Sequence, residues 1–129
     1  MPSSDGSRLG RLLQQECLAA IESLAAAGND VHTHVHEARK AIRRARSIAA
    51  LAGSRLDIGT ADEILHRAGD SLGAMRDARV VALTADRLGE RFPDRGWKHA
   101  AEVLEVRADR MARRELAADP GFASRRRAI

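Results

Sequence analysis

The chain has 129 residues, which is enough for one domain with its own hydrophobic core. Apolar residues make up 44% of it but aromatic residues only 2%, a composition that favours close-packed helices and argues against an all-β fold. The formal net charge is +4, and the single cysteine excludes an intramolecular disulfide bond. No stretch approaches the roughly 18 consecutive apolar residues of a membrane-spanning helix, so a soluble cytoplasmic protein is expected.

The first half of the chain predicts a disordered start followed by two amphipathic helices. Residues 1–7 are polar and are expected to be disordered. Leucine and isoleucine then recur near helical spacing, which predicts a first helix over about 7–27. The Gly-Asn-Asp turn at 28–30 is expected to end this helix and to cap a second one, over 31–52.

The second half predicts two further helices and a basic tail. Thr60, with a glutamate three residues later, has the capping-box spacing and predicts the start of a third helix, which the segment "FPDRG" ends after Arg91. A fourth helix covers 97–118, and residues 119–129 form a polar, basic tail. Four amphipathic helices joined by short loops predict an all-α fold, an antiparallel four-helix bundle, with a single helical domain over 8–118.

The second helix concentrates positive charge along one edge of its apolar face. At about 100° per residue, its valines, isoleucine and alanines form a core stripe. The sector beside that stripe holds His32, His36, Arg39, Arg43 and Arg46, with Lys40 at its border and His34 on the opposite shoulder. Like charges one turn apart destabilise an isolated helix by a few tenths of a kcal/mol per pair, so this row predicts an anionic partner.

A metal site is a weaker interpretation of the same histidines. His32 and His36 have the spacing that can share a metal ion on a helix, but Arg39 and Arg43 beside them would repel a divalent cation. No HExxH motif is present, and Glu37 lies further round the helix. No metal is therefore expected.

Two arginines of the third helix lie at or near its apolar stripe. Arg79 interrupts the stripe one turn after Met75, and Arg76 lies on its edge. A guanidinium on a core face needs a partner. Either an acid such as Asp77 or Asp86 from a nearby element supplies it, or the arginine points into a polar cleft.

Two blocks of the sequence, in this order, resemble a known family. "VHEARKAIRRARSIAAL" is similar to the V-H-x-x-R-V-x-x-R-R-x-R signature of CHAD domains (conserved histidine α-helical domains), and "LGAMRDARVVAL" to their second block, L-G-x-x-R-D-x-x-V. The matching positions are Val35, His36, Arg39, Arg43, Arg44 and Arg46 in the first block and Leu72, Gly73, Arg76, Asp77 and Val80 in the second. The resemblance covers about residues 8–92.

The resemblance implies a helical domain whose basic residues line a cleft and bind inorganic polyphosphate, without catalysis and without a cofactor. With such a ligand, the cytoplasmic localisation expected above extends to association with polyphosphate granules. Lys40 stands where the family usually has an apolar residue. The implied polyphosphate-binding residues are His36, Arg39, Lys40, Arg43, Arg46, Arg76 and Arg79, to which the helical projection adds His32.

The chain is short compared with the domains that it resembles. CHAD domains typically contain two related four-helix bundles with the basic surface between them, and this chain has room for one. A homodimer in which two copies stand in for the two halves is one expectation. A single bundle with an open, weaker anion surface is the other.

Three other functions fit parts of the pattern. A histidine phosphotransfer domain is also a helical bundle with an exposed histidine, but His36 lacks the H-x-x-K-G sequence typical of that class. Nucleic-acid binding through the second helix and the arginines at 125–127 would lack stacking aromatic residues. A structural bundle with incidental arginines is the third alternative.

Overall fold

A computed structural model describes residues 4–28, 30–53 and 59–129, which form an all-α bundle. Its elements are α1 (Ser4–Ala25), α2 (Val31–Ala52), α3 (Gly59–Arg91), α4 (Trp97–Ala118), a 3-10 turn (Pro120–Phe122) and α5 (Ala123–Ala128). The described residues contain no strand, and the predicted all-α class is confirmed. Within this part of the chain, no helix combines the length and apolarity needed to cross a membrane.

The ends of α2 and α3 show which local signals determined them. The Asp30 carboxylate caps α2, since it accepts hydrogen bonds from the Thr33 hydroxyl at 2.7 Å and from the Thr33 backbone N–H at 3.4 Å. The start of α3, predicted at about Thr60, lies within one residue of the observed one, but the predicted N-cap is wrong. The helix begins at Gly59, so Thr60 lies in its first turn and is not the N-cap.

The bounds of α1 differ from the prediction at both ends. The helix begins at Ser4, so residues 4–7 of the segment predicted to be disordered are helical, while residues 1–3 lie outside the described part of the chain. The helix ends at Ala25, where the Ala26 amide is shared between the carbonyl groups of Glu22 and Ser23, both at 3.2 Å, and the Ala27 amide donates to Leu24, three residues back, at 3.3 Å. This tighter turn closes the last winding of α1.

The core lies between α1, α2 and α3 and is closed by the C-terminal segment. It is built mainly from alanines, which allow the helices to approach closely, with a few large side chains between them. The largest fully buried side chains are Phe122, Leu24, Leu65, Leu72, Met75 and Val35. Burial of each such side chain contributes roughly 1.5–3 kcal/mol.

Successive helices run antiparallel. Arg46 near the end of α2 contacts Asp62 near the start of α3, whereas Ile42, one turn earlier on α2, faces Gly69 further along α3. The same relation joins α3 to α4, since Gly89 near the end of α3 lies against Lys98 near the start of α4, whereas Arg79 earlier on α3 pairs with Glu105 further along α4. The predicted antiparallel arrangement is therefore confirmed.

The last eleven residues differ from the predicted basic tail. Phe122 is fully buried in the core, and the chain reverses around it because both Gly121 and Phe122 have left-handed backbone angles, with φ of 61° and 52°. The Arg125 guanidinium donates to Glu115, to Asp119 and to the Ser71 hydroxyl. The segment is thus packed against the bundle by one aromatic anchor and one arginine.

Beyond the core, α3 and α4 continue together as a pair held by small residues. Ala82, Ala85 and Gly89 of α3 are buried, as are Ala101 and Ala108 of α4. These side chains are too small to keep the helices apart. The two backbones therefore approach closely near the loop between them.

Candidate anion-binding site

A groove of about 720 Å³ runs between the second half of α2 and the first half of α3. Arg39, Arg43 and Arg46 line its α2 side. They lie there because Ile42 and Ala49 are buried in the core, and helical geometry carries the arginines to the edge beside them. The floor of the groove is apolar, and its α3 side carries Asp62, His66 and Asp70.

Beside this groove lies a set of four cations, two of which line it, and the described residues supply no acid that neutralises them. We call His36, Arg39, Arg43 and Arg76 the basic cluster. Within the described residues, no carboxylate lies within ion-pairing distance of any of the four. The pKa of Arg76 is lowered, first because partial burial removes water from the guanidinium and then because Arg39 and Arg79 are positively charged. The cluster is therefore an unfavourable concentration of like charge when nothing is bound.

His36 is the titratable member of the basic cluster. Its pKa is lowered from 6.5, first by burial, then by the positive charges of Arg76 and Lys40, and to a smaller extent by Arg43. Glu37 acts in the opposite direction and is outweighed. The imidazole is thus predominantly neutral at pH 7 in the unliganded protein and has capacity to take up a proton.

The other four residues predicted to bind have acidic partners. Arg46 donates to Asp62 at 3.1 Å, and Lys40 lies 2.8 Å from Glu37. Of the two alternatives predicted for Arg79, an acidic partner is the one observed. The partner is Glu105 of α4, at 3.5 Å, and neither Asp77 nor Asp86.

His32 also leaves the predicted row. Its Nε2 lies 2.7 Å from Asp109 Oδ1 on α4, and the side chain is only 14% exposed. The two histidines with metal-pair spacing therefore have different partners. His32 contacts a carboxylate, whereas His36 lies in the basic cluster. Among the residues described, no group of three His, Cys, Asp or Glu side chains is arranged to hold a metal ion.

Sequence reasoning missed the acids that neutralise part of the row. Glu105 and Asp109 lie one turn apart on α4, with Glu102 at the preceding turn. That spacing puts three carboxylates along one side of the helix. The acidic side of α4 was therefore the signal in the sequence that another helix would form ion pairs with some of these cations.

The comparisons with known proteins give one result. No curated protein and no solved structure gives a significant match to the chain. The family model for the CHAD domain matches residues 12–126, nearly the whole chain, and this range contains both sequence blocks, the groove and most of the C-terminal segment. The chain belongs to the CHAD domain family.

Proposed function

We propose that this CHAD domain binds inorganic polyphosphate, or a similar polyanion, on the basic cluster and catalyses no reaction on it. The observation that carries the proposal is the convergence of His36, Arg39, Arg43 and Arg76 without a carboxylate from the described residues. An anion would convert that like-charge repulsion into attraction. Family membership supports the same ligand class, because CHAD domains are known in polyphosphate-binding contexts.

The chemistry available to the cluster is charge-assisted hydrogen bonding. Arg39 and Arg43 lie one turn apart on α2, a separation of about 6 Å along the helix axis. Each guanidinium presents a planar fork of donors that suits phosphate oxygens, and each well-placed bond contributes roughly 1.5–3 kcal/mol. Arg76 approaches the same region from α3, so phosphates would be held from two helices.

The test is a calorimetric titration with long-chain polyphosphate at low salt. We expect Arg39→Ala and Arg43→Ala each to weaken binding by about ten- to a hundred-fold. Arg114→Ala is the matched control, because Arg114 is exposed on α4 and has the same charge. Equal affinity of the wild type and both cluster variants would contradict the proposal.

Competition with DNA at fixed salt addresses the nucleic-acid alternative. Of the three arginines at 125–127 that could contact DNA, Arg125 already donates hydrogen bonds to Glu115, Asp119 and Ser71. We expect polyphosphate to displace DNA, and Arg127→Ala to leave polyphosphate affinity unchanged. Displacement of polyphosphate by DNA at equal phosphate concentration would favour the nucleic-acid alternative instead.

The proposal extends to a second copy of the chain as the other wall of the site. The basic cluster supplies cations from α2 and α3, and the groove is open to solvent on its remaining side. A homodimer would place a second basic cluster over the first, with the polyanion neutralising both. The expected result is a doubling of the mass measured by light scattering when polyphosphate is added, with Arg39→Ala staying monomeric.

A further inference from the structure

The basic cluster is short, and acids border it along the groove. Arg43 lies seven positions after His36 on α2, which corresponds to about 10 Å of helix. Beyond Arg43, the next member of the row is Arg46, which donates to Asp62; Arg44 lies outside the row and pairs with Glu16. Before His36, the preceding row member is His32, which is bound to Asp109. The stretch of unneutralised charge is therefore about half the length of the row predicted from the sequence.

The α3 side of the groove changes sign along its length. Asp62, His66 and Asp70 occupy successive turns of α3, and His66 lies 3.2 Å from Asp70. Arg76 follows less than two turns later. Both helices present cations where Arg76 lies near Arg39. Towards the start of α3 the groove is instead lined by Asp70 and Asp62, which repel an anion.

The other end of the row is closed by α4. Glu105 holds Arg79 at 3.5 Å and keeps more than half of its own side chain exposed. Asp109, one turn further along, is about half exposed. A polyanion continuing in this direction would meet two carboxylates within the roughly 10 Å over which charges interact at ordinary salt.

We infer that this site, if it binds polyphosphate as proposed, takes a short oligophosphate of about the length of tetrapolyphosphate as a complete ligand, and that Asp62 and Glu105 set its two ends. Longer chains bind through one such segment at a time, and the remaining phosphates stay in water. Asp62 and Glu105 thus determine which ligand length is recognised, because each removes one arginine from the row and adds a repelling charge.

The groove also favours an oligophosphate over a nucleotide. Among the described residues of the groove lining and the basic cluster, the aromatic rings are the two imidazoles of His36 and His66, and that of His66 is paired with Asp70. Base stacking on an aromatic surface is what contributes affinity for a nucleobase. ATP is therefore expected to bind no more tightly than tripolyphosphate.

The first experiment compares tripolyphosphate, tetrapolyphosphate and long-chain polyphosphate on the wild-type protein. Each affinity is measured at several salt concentrations. The affinity of the long chain is corrected for the number of overlapping segments at which it can occupy the site. We expect tetrapolyphosphate and long-chain polyphosphate to agree within about three-fold and to share the same salt slope, because the slope counts the charges neutralised. Tripolyphosphate is expected to bind more weakly.

The second experiment removes the two bordering carboxylates. In Asp62→Asn and Glu105→Gln an arginine is freed, so long-chain polyphosphate gains about two- to five-fold in affinity and its salt slope steepens by roughly 0.7 per added contact. Tetrapolyphosphate binding stays nearly constant. Glu90→Gln, an exposed acid far along α3, is the control and changes neither. Circular dichroism verifies that each variant is folded.

The outcomes separate this inference from the proposed function. If affinity and salt slope keep rising from tetrapolyphosphate to long chains in the wild type, the length limit is wrong while polyphosphate binding stands. The same conclusion follows if both variants leave the long-chain slope unchanged. If no polyphosphate binds at low salt, the proposed function itself fails, and the length limit fails with it.

Discussion

Asp109 on α4 holds the His32 side chain at the start of α2, with 2.7 Å between Oδ1 and Nε2. The two residues are 77 positions apart in sequence, and the contact is partly buried. It joins the row of cations on α2 to the acidic side of α4. His32 therefore contributes to the packing of the bundle, although its place in the helical projection put it among the binding residues.

His32→Gln separates these two roles. We expect polyphosphate affinity to stay within about two-fold of wild type, since His32 is outside the basic cluster and already paired. The free energy of unfolding should fall by about 0.5–1.5 kcal/mol, the net value of one such hydrogen bond. Urea denaturation and calorimetric titration of the same preparation measure both. A ten-fold loss of affinity with unchanged stability would return His32 to the binding surface.

Arg76→Met is expected to weaken polyphosphate binding and to leave the fold at least as stable. The pKa of Arg76 is lowered by burial and by Arg39 and Arg79, which means that the charged form is disfavoured in the folded protein. Methionine keeps the apolar stem and removes the charge, so stability should rise by up to a few tenths of a kcal/mol. A variant that loses stability without losing affinity would show that Arg76 has a structural role.

The helices could be predicted because their signals are local. The bounds of α2 and α4 follow from apolar spacing and from caps such as Asp30, and they do not depend on the rest of the fold. The edge position of Arg39 and Arg43 on α2 follows from the same periodicity. Local sequence therefore supplied the location of the groove on α2.

Local sequence could not predict which cations of the row would lack an acidic partner from the described residues. Arg46, Arg79 and His32 are each neutralised by an acid from another helix, and those contacts depend on how the helices pack. The same limit applies to the C-terminal segment. Phe122 is its single large aromatic residue, and its burial depends on two left-handed backbone positions that its composition does not reveal.

Polyphosphate affinity should rise as pH falls, through His36. The pKa of His36 in the unliganded fold is below 6.5, and a bound polyanion would raise it, so binding takes up a proton. The added affinity is fully present below the unliganded pKa and is lost as pH rises through the pKa of the complex. Calorimetric titrations between pH 5.5 and 8 measure this pH dependence of the affinity. Long polyphosphate chains are used because they have few terminal phosphates.

His36→Gln is the matched variant for that pH series. Glutamine keeps a polar side chain of similar reach but does not titrate, so its affinity should vary little over the same range. The unliganded wild type should lose stability as pH falls below about 6.5, because the pKa of His36 is lower in the folded protein than in the unfolded chain. An identical pH dependence in wild type and His36→Gln would assign the proton to another group.

The C-terminal segment should be required for stability, through Phe122 and Arg125, whereas the exposed charge of Arg127 should not be. Phe122→Ala removes a fully buried ring and is expected to cost about 3–5 kcal/mol of unfolding free energy. Arg125→Ala leaves Glu115 and Asp119 without their partner and should cost about 1–3 kcal/mol. Arg127→Ala, at an exposed position on α5, should change little. Equal stability of all three variants would mean that residues 119–129 do not hold the bundle together.

Two glycines of α3 should respond to alanine in opposite directions. A Cβ atom at Gly73 would meet nothing within 4 Å, so Gly73→Ala should stabilise the protein by about 0.5–1 kcal/mol through helix propensity alone. A Cβ atom at Gly89 would lie 2.9 Å from Lys98 Cγ and 3.2 Å from its backbone nitrogen. Gly89→Ala must therefore push α4 away from α3, at a cost of about 1–3 kcal/mol. Urea denaturation of both variants checks the sign, and a stabilising Gly89→Ala would contradict the close approach of the two backbones.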